Sequence, residues 1–469
     1  MHKAQGGKML ENNNYSKILD VIKPNLYKEV FPYDAFPKSH FDHVNLPYDL
    51  PNDIWITDTT FRDGQQSMES FTVEQIAKLF EMLHILDNNN GLIRQTEFFM
   101  YSDRDRKALE KCQNMGFTFP EITGWARPKL EDMKLAKDCG VKETGILMSS
   151  SDYHIFQKLN KNRSQAFSLY LSAVEKALEY GIKPRCHLED ATRADMFGFV
   201  IPLVKAINAM GQEAGINIKF RICDTLGVGK PFNGQKLPRS VPALVYYLKE
   251  AAGLSSEQLE WHGHNDYYYC TANSTAAWMH GASSISTTLL GIGERTGNCP
   301  LESMLVEYHQ LKQPKNKINF EILNDIVTFF DKELNYQIHS KMPFLGEEFN
   351  STRAGIHADG IMKNEDIYNS FDSKKIFNKN IKIVVNQYSG VAGIAGWINL
   401  YYDLPESNRI SKKDKRVVLV KDLVEKVYND GRTLALKDCE MVEMVESIFG
   451  DIFNEDNHEE RESSKEEMI

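Results

Sequence analysis

The sequence predicts an α/β protein whose core is a (β/α)8 TIM barrel, followed by a C-terminal, mostly helical extension. From residue 54 onward, short apolar runs alternate with longer segments of helical periodicity, and about eight such units end near residue 309. The chain has 469 residues. That length allows a barrel of about 250 residues together with further segments. Polar clusters follow the apolar runs, at the strand ends where the active sites of such barrels lie.

The eight apolar runs have the length of strands, and the segments between them place apolar residues at helical spacing. The predicted strands are residues 54–58, 95–99, 121–125, 144–148, 183–188, 219–223, 258–262 and 284–289. Helical patterns between them include residues 73–86, 130–138 and 163–180. This repeat favours a closed barrel over a doubly wound sheet.

Other segments flank this repeat. The predicted segments are an N-terminal extension (1–50), the barrel (51–313), a subdomain (314–402) and terminal helices with an acidic tail (403–469). Residues 320–334 and 417–427 have the apolar spacing of helices. Residues 440–469 contain eleven acidic and two basic side chains. The tail beyond residue 451 is therefore expected to be disordered.

Composition and charge exclude several classes of protein. No apolar run approaches the roughly 20 residues that a membrane helix needs, and the N-terminus has no apolar core of a signal peptide. The seven cysteines form no C-x-x-C pair, so neither a zinc knuckle nor a disulfide framework is expected. A net charge of −10 argues against a nucleic-acid partner, which would require a basic face. We expect a cytoplasmic protein that acts on small molecules.

Two distant motifs predict a metal site. His262 and His264 are two residues apart in an extended segment, so their imidazoles point to the same side and can reach one ion. Asp63 follows the first predicted strand, directly after Arg62. One carboxylate and two imidazoles leave a divalent cation with open positions for substrate. Taken alone, the two histidines would also fit a strand end without a metal, and non-haem iron oxygenases use the same ligand set.

The fifth predicted strand ends in alternating polar residues. Arg185, His187 and Glu189 alternate with apolar neighbours, so all three are expected to face the barrel interior near its mouth. Inward polar groups are costly unless they are paired or used. These three side chains therefore either bind and transform a substrate or belong to a buried ion pair.

Four sequence motifs, two of which contain the residues of the predicted metal site, occur in the order found in one known family. They are TTFRDGQQ (59–66), HGHND (262–266), GIGERTGN (291–298) and GIHADG (355–360). In these motifs the chain resembles the DRE-TIM metallolyases, barrel enzymes that include the 2-isopropylmalate and homocitrate synthases. The resemblance spans residues 54–400. It implies a metal-dependent condensation of acetyl-CoA with a 2-oxo acid, and a homodimer.

The resemblance also gives the metal a role. A divalent cation, Mn²⁺, Co²⁺ or Mg²⁺, would be bound by Asp63, His262 and His264. Asn298 would complete the coordination through a water molecule. The cation would polarise the ketone of the oxo acid, and Arg62 would hold the charge that develops on the ketone oxygen. The alternative for Arg62 is a surface salt bridge, worth about 0–1 kcal/mol.

Proton transfer and substrate binding are assigned by the same resemblance. The proposed catalytic groups besides Arg62 are Glu189, His357 and Tyr368. A base must remove a methyl proton from acetyl-CoA and an acid must protonate the new alkoxide, and the sequence leaves open which group has which role. The residues expected to bind substrate are Gln66, Glu97, Lys129, Arg185, His187 and Thr225. Glu97 and Thr225 would equally fit ordinary strand-end caps.

The side chains around the expected pocket favour particular oxo acids. Arg185, His187 and Lys129 would form a cationic lining, which calls for a second carboxylate on the substrate. Oxaloacetate and 2-oxoglutarate both carry one. His187 stands where homocitrate synthases typically have a serine, so a shorter pocket is expected, with oxaloacetate as substrate and citrate formed by Re-face attack.

Other reactions remain open from the sequence. Within the same family they are homocitrate synthesis from 2-oxoglutarate and the synthesis of 2-isopropylmalate or citramalate. A lyase of the same fold would instead cleave an acyl-CoA, and Cys299 in its glycine-rich loop would then be the catalytic cysteine. A non-catalytic binding protein would not need Glu189 and His357 beside a metal site.

Overall fold

The eight apolar runs form the parallel strands of a closed barrel, in the order in which they occur in the chain. The computed structural model describes residues 17–450. The strands are β1 (Trp55–Asp58), β2 (Ile93–Phe98), β3 (Glu121–Ala126), β4 (Glu143–Ser149), β5 (Lys183–Glu189), β6 (Lys219–Asp224), β7 (Leu259–Gly263) and β8 (Ser284–Thr287). Each strand lies within two residues of its predicted bounds. The predicted (β/α)8 barrel is confirmed.

A helix follows each strand. The helices are α1 (Val73–Asp87), α2 (Asp103–Gln113), α3 (Leu130–Asp138), α4 (Arg163–Glu179), α5 (Ile201–Glu213), α6 (Val241–Glu250), α7 (Cys270–Met279) and α8 (Leu301–Lys312). Three of them begin with capping boxes, formed by Thr72, Ser102 and Asn162. In each box the cap side chain accepts a bond from the third helical residue, which bonds back to the cap. Local sequence therefore sets where these helices begin.

The barrel interior carries more charge than is usual for this fold. Six inward residues on four strands are buried to 2 % exposure or less: Gln95, Glu97, Arg185, His187, Arg221 and Glu260. Barrel interiors are more often filled by valine, isoleucine and leucine. Because a buried charge is costly unless it is paired, the contacts among these residues decide what the interior can do.

The segment before the barrel binds to its loops. Residues 17–50 contain no helix, and only an isolated bridge of strand type, within the part that the structure describes. The backbone N–H of Leu19 donates to the carbonyl oxygen of Gly198 at 2.7 Å. Further along the segment, the guanidinium of Arg239 donates to the carbonyl oxygen of Pro37 at 2.9 Å. Hydrogen bonds of this kind hold the segment without regular structure of its own.

The chain divides into two compact units. The first reaches residue 322 and includes residues 328–336, and the second comprises residues 323–327 and those from 337 onward. The remaining elements are α9 (Ile322–Leu334), β9 (Ser351–Thr352), α10 (Gly355–Lys363), α11 (Ser373–Phe377), β10 (Lys382–Ile383), α12 (Val391–Tyr401), α13 (Lys415–Asn429) and α14 (Asp438–Phe449). The second unit has its own apolar core, which includes Ile394, Trp397, Val420 and Met441.

The segment bounds predicted at residues 313 and 402 stay predictions. The acidic tail, predicted to be disordered beyond residue 451, lies outside the described residues. Within residues 17–450, no helix combines the length and the hydropathy that crossing a bilayer requires.

Candidate metal centre and active site

Three side chains from opposite ends of the barrel sequence converge at its mouth. Asp63 lies in the loop after β1, His262 is in β7, and His264 follows that strand. The Oδ2 atom of Asp63 is 3.4 Å from Nε2 of His262 and 3.8 Å from Nε2 of His264. Their potential ligand atoms all lie within 4.8 Å of one another. The structure thus brings together the three metal ligands that the sequence predicts.

The atoms left over around this group fit a cation. Asn298 donates from Nδ2 to Oδ2 of Asp63 at 2.7 Å. Its Oδ1 atom is buried and has no hydrogen-bond partner among the described residues, and the same holds for Nδ1 of His264. Nδ1 of His262 lies 3.1 Å from the hydroxyl of Ser286, a contact that orients the ring. Buried polar atoms are rarely left unpaired, so a bound cation or its water would satisfy Asn298.

The protonation of the group also suits a metal. Burial holds the pKa of His262 well below its usual value and lowers the pKa of His264. Both imidazoles are therefore neutral near pH 7, the form that binds metals. Burial acts to raise the pKa of Asp63, but the Arg62 guanidinium, the two histidines and the hydrogen bond from Asn298 together lower that pKa overall. We call Asp63, His262, His264 and Asn298 the metal group.

The loop after β8 positions Asn298. The residue forms an antiparallel bridge with His264, and the N–H of Asn265 donates to the carbonyl oxygen of Gly297 at 3.0 Å. Gly297 has a φ of +88°, and a Cβ atom there would lie 2.1 Å from the carbonyl oxygen of Gly291. Only glycine avoids both the strained backbone and this clash. The glycine-rich motif therefore serves the loop that carries a proposed ligand.

Arg62 is held beside the metal group. Its Nη1 donates to Oδ1 of Asp63 and its Nε to Oε1 of Glu97, both at 2.8 Å. The guanidinium carbon also lies 5.8 Å from the centre of the Trp125 ring. Two carboxylates and an aromatic face thus fix the guanidinium, whereas a surface salt bridge would leave it free. Glu97, which the sequence predicts to bind substrate, therefore contacts Arg62 within the protein.

Two charged residues of the interior were not predicted from the sequence. Arg221 of β6 donates from Nη1 to Oε1 of Glu97 at 3.0 Å. Its Nε and Nη2 atoms donate to the two carboxylate oxygens of Glu260, on β7, at 3.0 and 3.1 Å. The available signal was the same strand alternation that singled out the polar residues of β5.

Arg185, predicted to lie near the mouth as a substrate ligand or in a buried ion pair, is bound by protein side chains. Arg185 is the third residue of β5, and its Nε donates to Oε1 of Glu143 at 2.8 Å. Its Nη2 donates to the side-chain oxygen of Gln95 at 2.7 Å, and Lys219 also binds Glu143, at 3.0 Å. We call Gln95, Glu143, Arg185 and Lys219 the lower cluster, because they lie toward the amino-terminal ends of their strands. The buried ion pair is the reading that the structure supports here.

His187 does not supply a positive charge either. Burial is the main cause that lowers its pKa, to about 4, and nearby Arg221 adds to the effect. The ring is therefore neutral near pH 7, with Nε2 3.4 Å from Oε2 of Glu97. His187, like Arg185, therefore does not give the pocket a cationic lining. The size of His187 still limits the space beside it, since a Cβ on Gly145 would lie 2.5 Å from its ring.

Glu189, the last residue of β5, is bound by three side chains that the sequence analysis missed. Lys158 contacts Oε1 at 2.7 Å, Nδ1 of His154 lies 3.1 Å from Oε2, and Ser149 donates its hydroxyl. Burial alone would raise the pKa of Glu189, but His154 and Lys158 lower it to about 2. In this arrangement the carboxylate is charged and is a weak base.

Three predicted substrate ligands occupy other environments. Lys129 is exposed just before α3 and lines a surface groove with Lys161, so it does not face the barrel interior as the cationic-lining argument required. The hydroxyl of Thr225 accepts a bond from the N–H of Asp190 at 2.9 Å, which links two barrel loops. Gln66 is exposed at a cavity of about 740 Å³, lined mainly by residues 291–297.

His357 and Tyr368 belong to the second unit. Their rings lie 4.3 Å apart, centre to centre, at an angle of 43°. Both line a cavity of about 420 Å³ within that unit, together with Phe344 and Asn350. The structure thus pairs the two proposed proton-transfer residues with each other.

Comparisons with known proteins agree with this architecture. The HMGL-like family model matches residues 53–329. The chain is 50% identical to citrate (Re)-synthase of Clostridium kluyveri, over 95% of this chain and 98% of that protein. It is 45% identical to citrate (Re)-synthase of Syntrophus aciditrophicus, over 94% of this chain and 70% of that protein.

A third relative and a solved structure extend the comparison. The chain is 38% identical to 2-phosphinomethylmalate synthase of Streptomyces hygroscopicus, over 91% of this chain and 97% of that protein. The crystal structure of hydroxymethylglutaryl-CoA lyase from Pseudomonas aeruginosa superposes with a TM-score of 0.50 at 18% identity. It covers 61% of this chain and 95% of that one. At such low identity this likeness shows the fold alone.

Proposed function

Because the chain belongs to the HMGL-like family, we propose that it condenses acetyl-CoA with oxaloacetate to give citrate and CoA, by attack on the Re face. The observation that carries this proposal is the convergence of Asp63, His262 and His264 beside the fixed guanidinium of Arg62. Two relatives named citrate (Re)-synthase, at 45% and 50% identity over nearly the whole chain, support the choice of substrate.

The metal group would hold a divalent cation, with Mn²⁺, Co²⁺ and Mg²⁺ as the candidates. Bound there, the cation would supply Lewis-acid polarisation of the ketone. Arg62 would stabilise the charge that develops on the ketone oxygen, because its guanidinium is already oriented and needs no rearrangement. Asn298 would orient Asp63 through the bond to its Oδ2 atom.

The residues that transfer protons are proposed from the sequence motifs. While Lys158 and His154 bind Glu189, its low pKa makes it a poor acceptor for a methyl proton. This favours His357 or Tyr368 as the base and Glu189 as a group that orients acetyl-CoA or the oxo acid.

The choice among oxo acids now depends on size and on relatives, since neither Arg185 nor His187 is a free cation. His187 occupies more space than the serine that homocitrate synthases typically have at this position, which supports oxaloacetate over the longer 2-oxoglutarate. Synthesis of homocitrate, 2-isopropylmalate or citramalate remains the alternative within the family. A cytoplasmic location and a homodimer stay predictions.

An acyl-CoA lyase of the same fold is less well supported. Its catalytic cysteine would have to reach the substrate, whereas Cys299 is completely buried. Burial also raises the pKa of its thiol well above the usual value, and the thiolate is the reactive form.

The test is a thiol-release assay with acetyl-CoA and four oxo acids: oxaloacetate, 2-oxoglutarate, pyruvate and 2-oxoisovalerate. We expect the highest kcat/KM for oxaloacetate, and a shift toward 2-oxoglutarate in His187→Ser. A wild-type preference for 2-oxoglutarate would make the protein a homocitrate synthase. Preference for pyruvate or 2-oxoisovalerate would reject a dicarboxylic substrate.

Stereochemistry is tested separately. Citrate made from acetyl-labelled acetyl-CoA is cleaved by a citrate lyase that removes the pro-S arm. Re-face attack predicts that the label remains in oxaloacetate. Label recovered in acetate would show attack on the other face.

A further inference from the structure

Arg221 joins two carboxylates deep inside the barrel. It binds both oxygens of Glu260 at 3.0 and 3.1 Å, and its remaining Nη1 binds Glu97 at 3.0 Å. Arg221 and Glu97 have no exposed surface, and Glu260 is 1% exposed. Three buried, charged side chains on β2, β6 and β7 thus form one bonded group.

The same atom of Glu97 links this group to the metal site. Its Oε1 accepts bonds from Nη1 of Arg221 and from Nε of Arg62. Arg62 in turn donates to Asp63, one of the proposed metal ligands. The direction in which Glu97 presents Oε1 therefore sets the orientation of Arg62, and Arg221 is the neighbour that fixes Glu97 from the other side.

Charge balance gives Arg221 a second effect. Glu97 binds two guanidinium groups through Oε1, and its Oε2 atom lies 3.4 Å from neutral His187 and 3.6 Å from Nη1 of Arg185. If Arg221 were absent, Arg62 would be the remaining guanidinium bonded to Oε1, and the stronger attraction to Glu97 would draw it away from Asp63. Charged groups in so buried a site interact strongly, since little water screens them.

The lower cluster shows what a purely structural arrangement looks like. Glu143 is neutralised by Arg185 and Lys219 at 2.8 and 3.0 Å. Neither cation contacts Arg62 or the metal group, although Nη1 of Arg185 lies 3.6 Å from Oε2 of Glu97. Arg221 differs because it is bonded, through a single shared oxygen of Glu97, to the guanidinium that would meet the reacting ketone.

We propose that Arg221 and Glu260 are positioning residues for the condensation, holding Glu97 so that Arg62 stays beside Asp63. The inference rests on the proposed function, because it gives Arg62 its role at the ketone oxygen. Neither residue touches the substrate. Their contribution is exerted entirely through Arg62, and the test must show that dependence.

A double-mutant cycle measures this dependence. In Arg221→Lys the charge remains but the bidentate bond to Glu260 and the bond to Glu97 cannot all be kept. We expect kcat to fall about 10-fold with KM for both substrates changed less than about 3-fold, as when an interaction specific to the transition state is lost. In an Arg62→Lys background, the same substitution should lower kcat by less than about 2-fold, because the group through which it acts is gone.

A matched control separates positioning from a general loss of a buried arginine. Arg163 is 1% exposed and binds Asp152 through Nε and Nη2 at 2.8 and 2.9 Å. It has no recorded contact with Arg62 or Glu97. The fold loss of kcat in the Arg163→Lys, Arg62→Lys double variant should therefore equal the product of the two single losses, because the two sites are independent.

Stability and metal binding provide readouts that do not depend on turnover. The melting temperature of each variant and its Mn²⁺ affinity, followed by electron paramagnetic resonance, are measured beside kcat. We expect Arg221→Lys to bind Mn²⁺ within about 3-fold of the wild type, because the metal ligands are unchanged. If that variant does not fold, Glu260→Gln keeps the hydrogen-bonding shape and is carried through the same cycle.

The outcomes are distinct. Losses that multiply in the Arg221→Lys, Arg62→Lys double variant would overturn the positioning role while leaving the proposed function in place. A loss of Mn²⁺ binding in proportion to kcat would also overturn it, since the effect would then act on the metal and not through Arg62. No thiol release by the wild type with any of the four oxo acids would reject the proposed function and this inference together.

Discussion

Buried polar groups are paired differently at the two ends of the barrel interior. In the lower cluster, Arg185 and Lys219 lie within 3.0 Å of Glu143, and the remaining Nη1 of Arg185 lies 3.6 and 3.5 Å from the carboxylates of Glu97 and Glu260. In the metal group, Oδ1 of Asn298 and Nδ1 of His264 are buried and find no hydrogen-bond partner among the described residues. Both ends are polar and both are buried. At the mouth, the unpaired atoms belong to residues of the metal group, which a bound ligand would satisfy.

This difference distinguishes structural residues from candidate functional residues better than charge or burial does. A buried ion pair is weak evidence for function, because its partners already satisfy one another. A buried polar atom without a partner calls for a ligand, a water molecule or an explanation. The mouth of the barrel is therefore where we place the reaction. The lower cluster is where we expect substitutions to affect folding.

The largest effect should follow loss of a metal ligand at the mouth. We expect His264→Ala to lose its metal and to fall at least about 10³-fold in kcat, because Lewis-acid polarisation is worth several kcal/mol and each 1.4 kcal/mol or so is tenfold. Thiol release is measured after chelation and reloading with Mn²⁺, with metal content determined in parallel. The melting temperature should change little.

A second buried histidine provides the control. His280 lies at the end of α7, with Nδ1 2.8 Å from the carbonyl oxygen of Ala276. His280→Ala should keep both metal and turnover. Full turnover by a metal-free His264→Ala preparation would remove the distinction between the two ends of the barrel.

The next effect concerns proton transfer. His357→Ala should lower kcat by about 10²–10⁴-fold while the oxo acid still binds, because positioned acids and bases contribute that much. Rapid-mixing measurements of kcat and a direct binding titration with oxaloacetate distinguish the two properties. A variant with near-normal kcat and no binding would be reassigned to substrate recognition.

Substitution in the lower cluster should change stability without changing substrate choice. Arg185→Met leaves Glu143 with Lys219 as its remaining cation, and breaking a buried pair in this way costs about 3–5 kcal/mol of unfolding free energy. Denaturant unfolding measures that cost. The ranking of the four oxo acids by kcat/KM should stay the same. A selective loss for oxaloacetate and 2-oxoglutarate would restore Arg185 as a substrate ligand.

The smallest effect tests whether a single unpaired atom is enough to mark a functional site. Glu302, near the start of α8, is buried and its Oε2 atom has no partner among the described residues. Burial raises its pKa from 4.5 to about 7. Between these values the folded protein holds a proton that the unfolded chain has released, so stability falls as the pH rises through that window.

Glu302→Gln removes this penalty. We expect its melting temperature to exceed that of the wild type by about 1–3 °C at pH 8, and by less at pH 5. Scanning fluorimetry at both pH values tests this. An equal difference at the two pH values would show that Glu302 does not titrate as described. A kcat loss beyond about 10²-fold would place Glu302 among the functional groups.

The sequence predicted what depends on local pattern. The strand and helix periods predicted the barrel. The spacing of His262 and His264 on one strand face predicted the two histidines that converge with Asp63. What it could not give was the partner of each inward charge. Arg185 and Glu189 lie on the same face of β5, yet one binds Glu143 and the other binds Lys158, from different elements. Pairing across a barrel depends on register and tilt, which a single chain does not display.

The placement of Asp63 and Asn298 has a consequence for how the protein is made. They lie in the loops after β1 and β8, two strands that pair to close the barrel, and they are 235 residues apart in the chain. At a synthesis rate of about 5–20 residues per second, roughly 10–50 s pass between their additions to the chain. During that interval Asp63 is part of a nascent chain in which the metal group is still incomplete. Loading of the proposed metal therefore has to wait until β8 and the loop after it have been made, and a nascent chain stalled before β8 should bind no cation at this site.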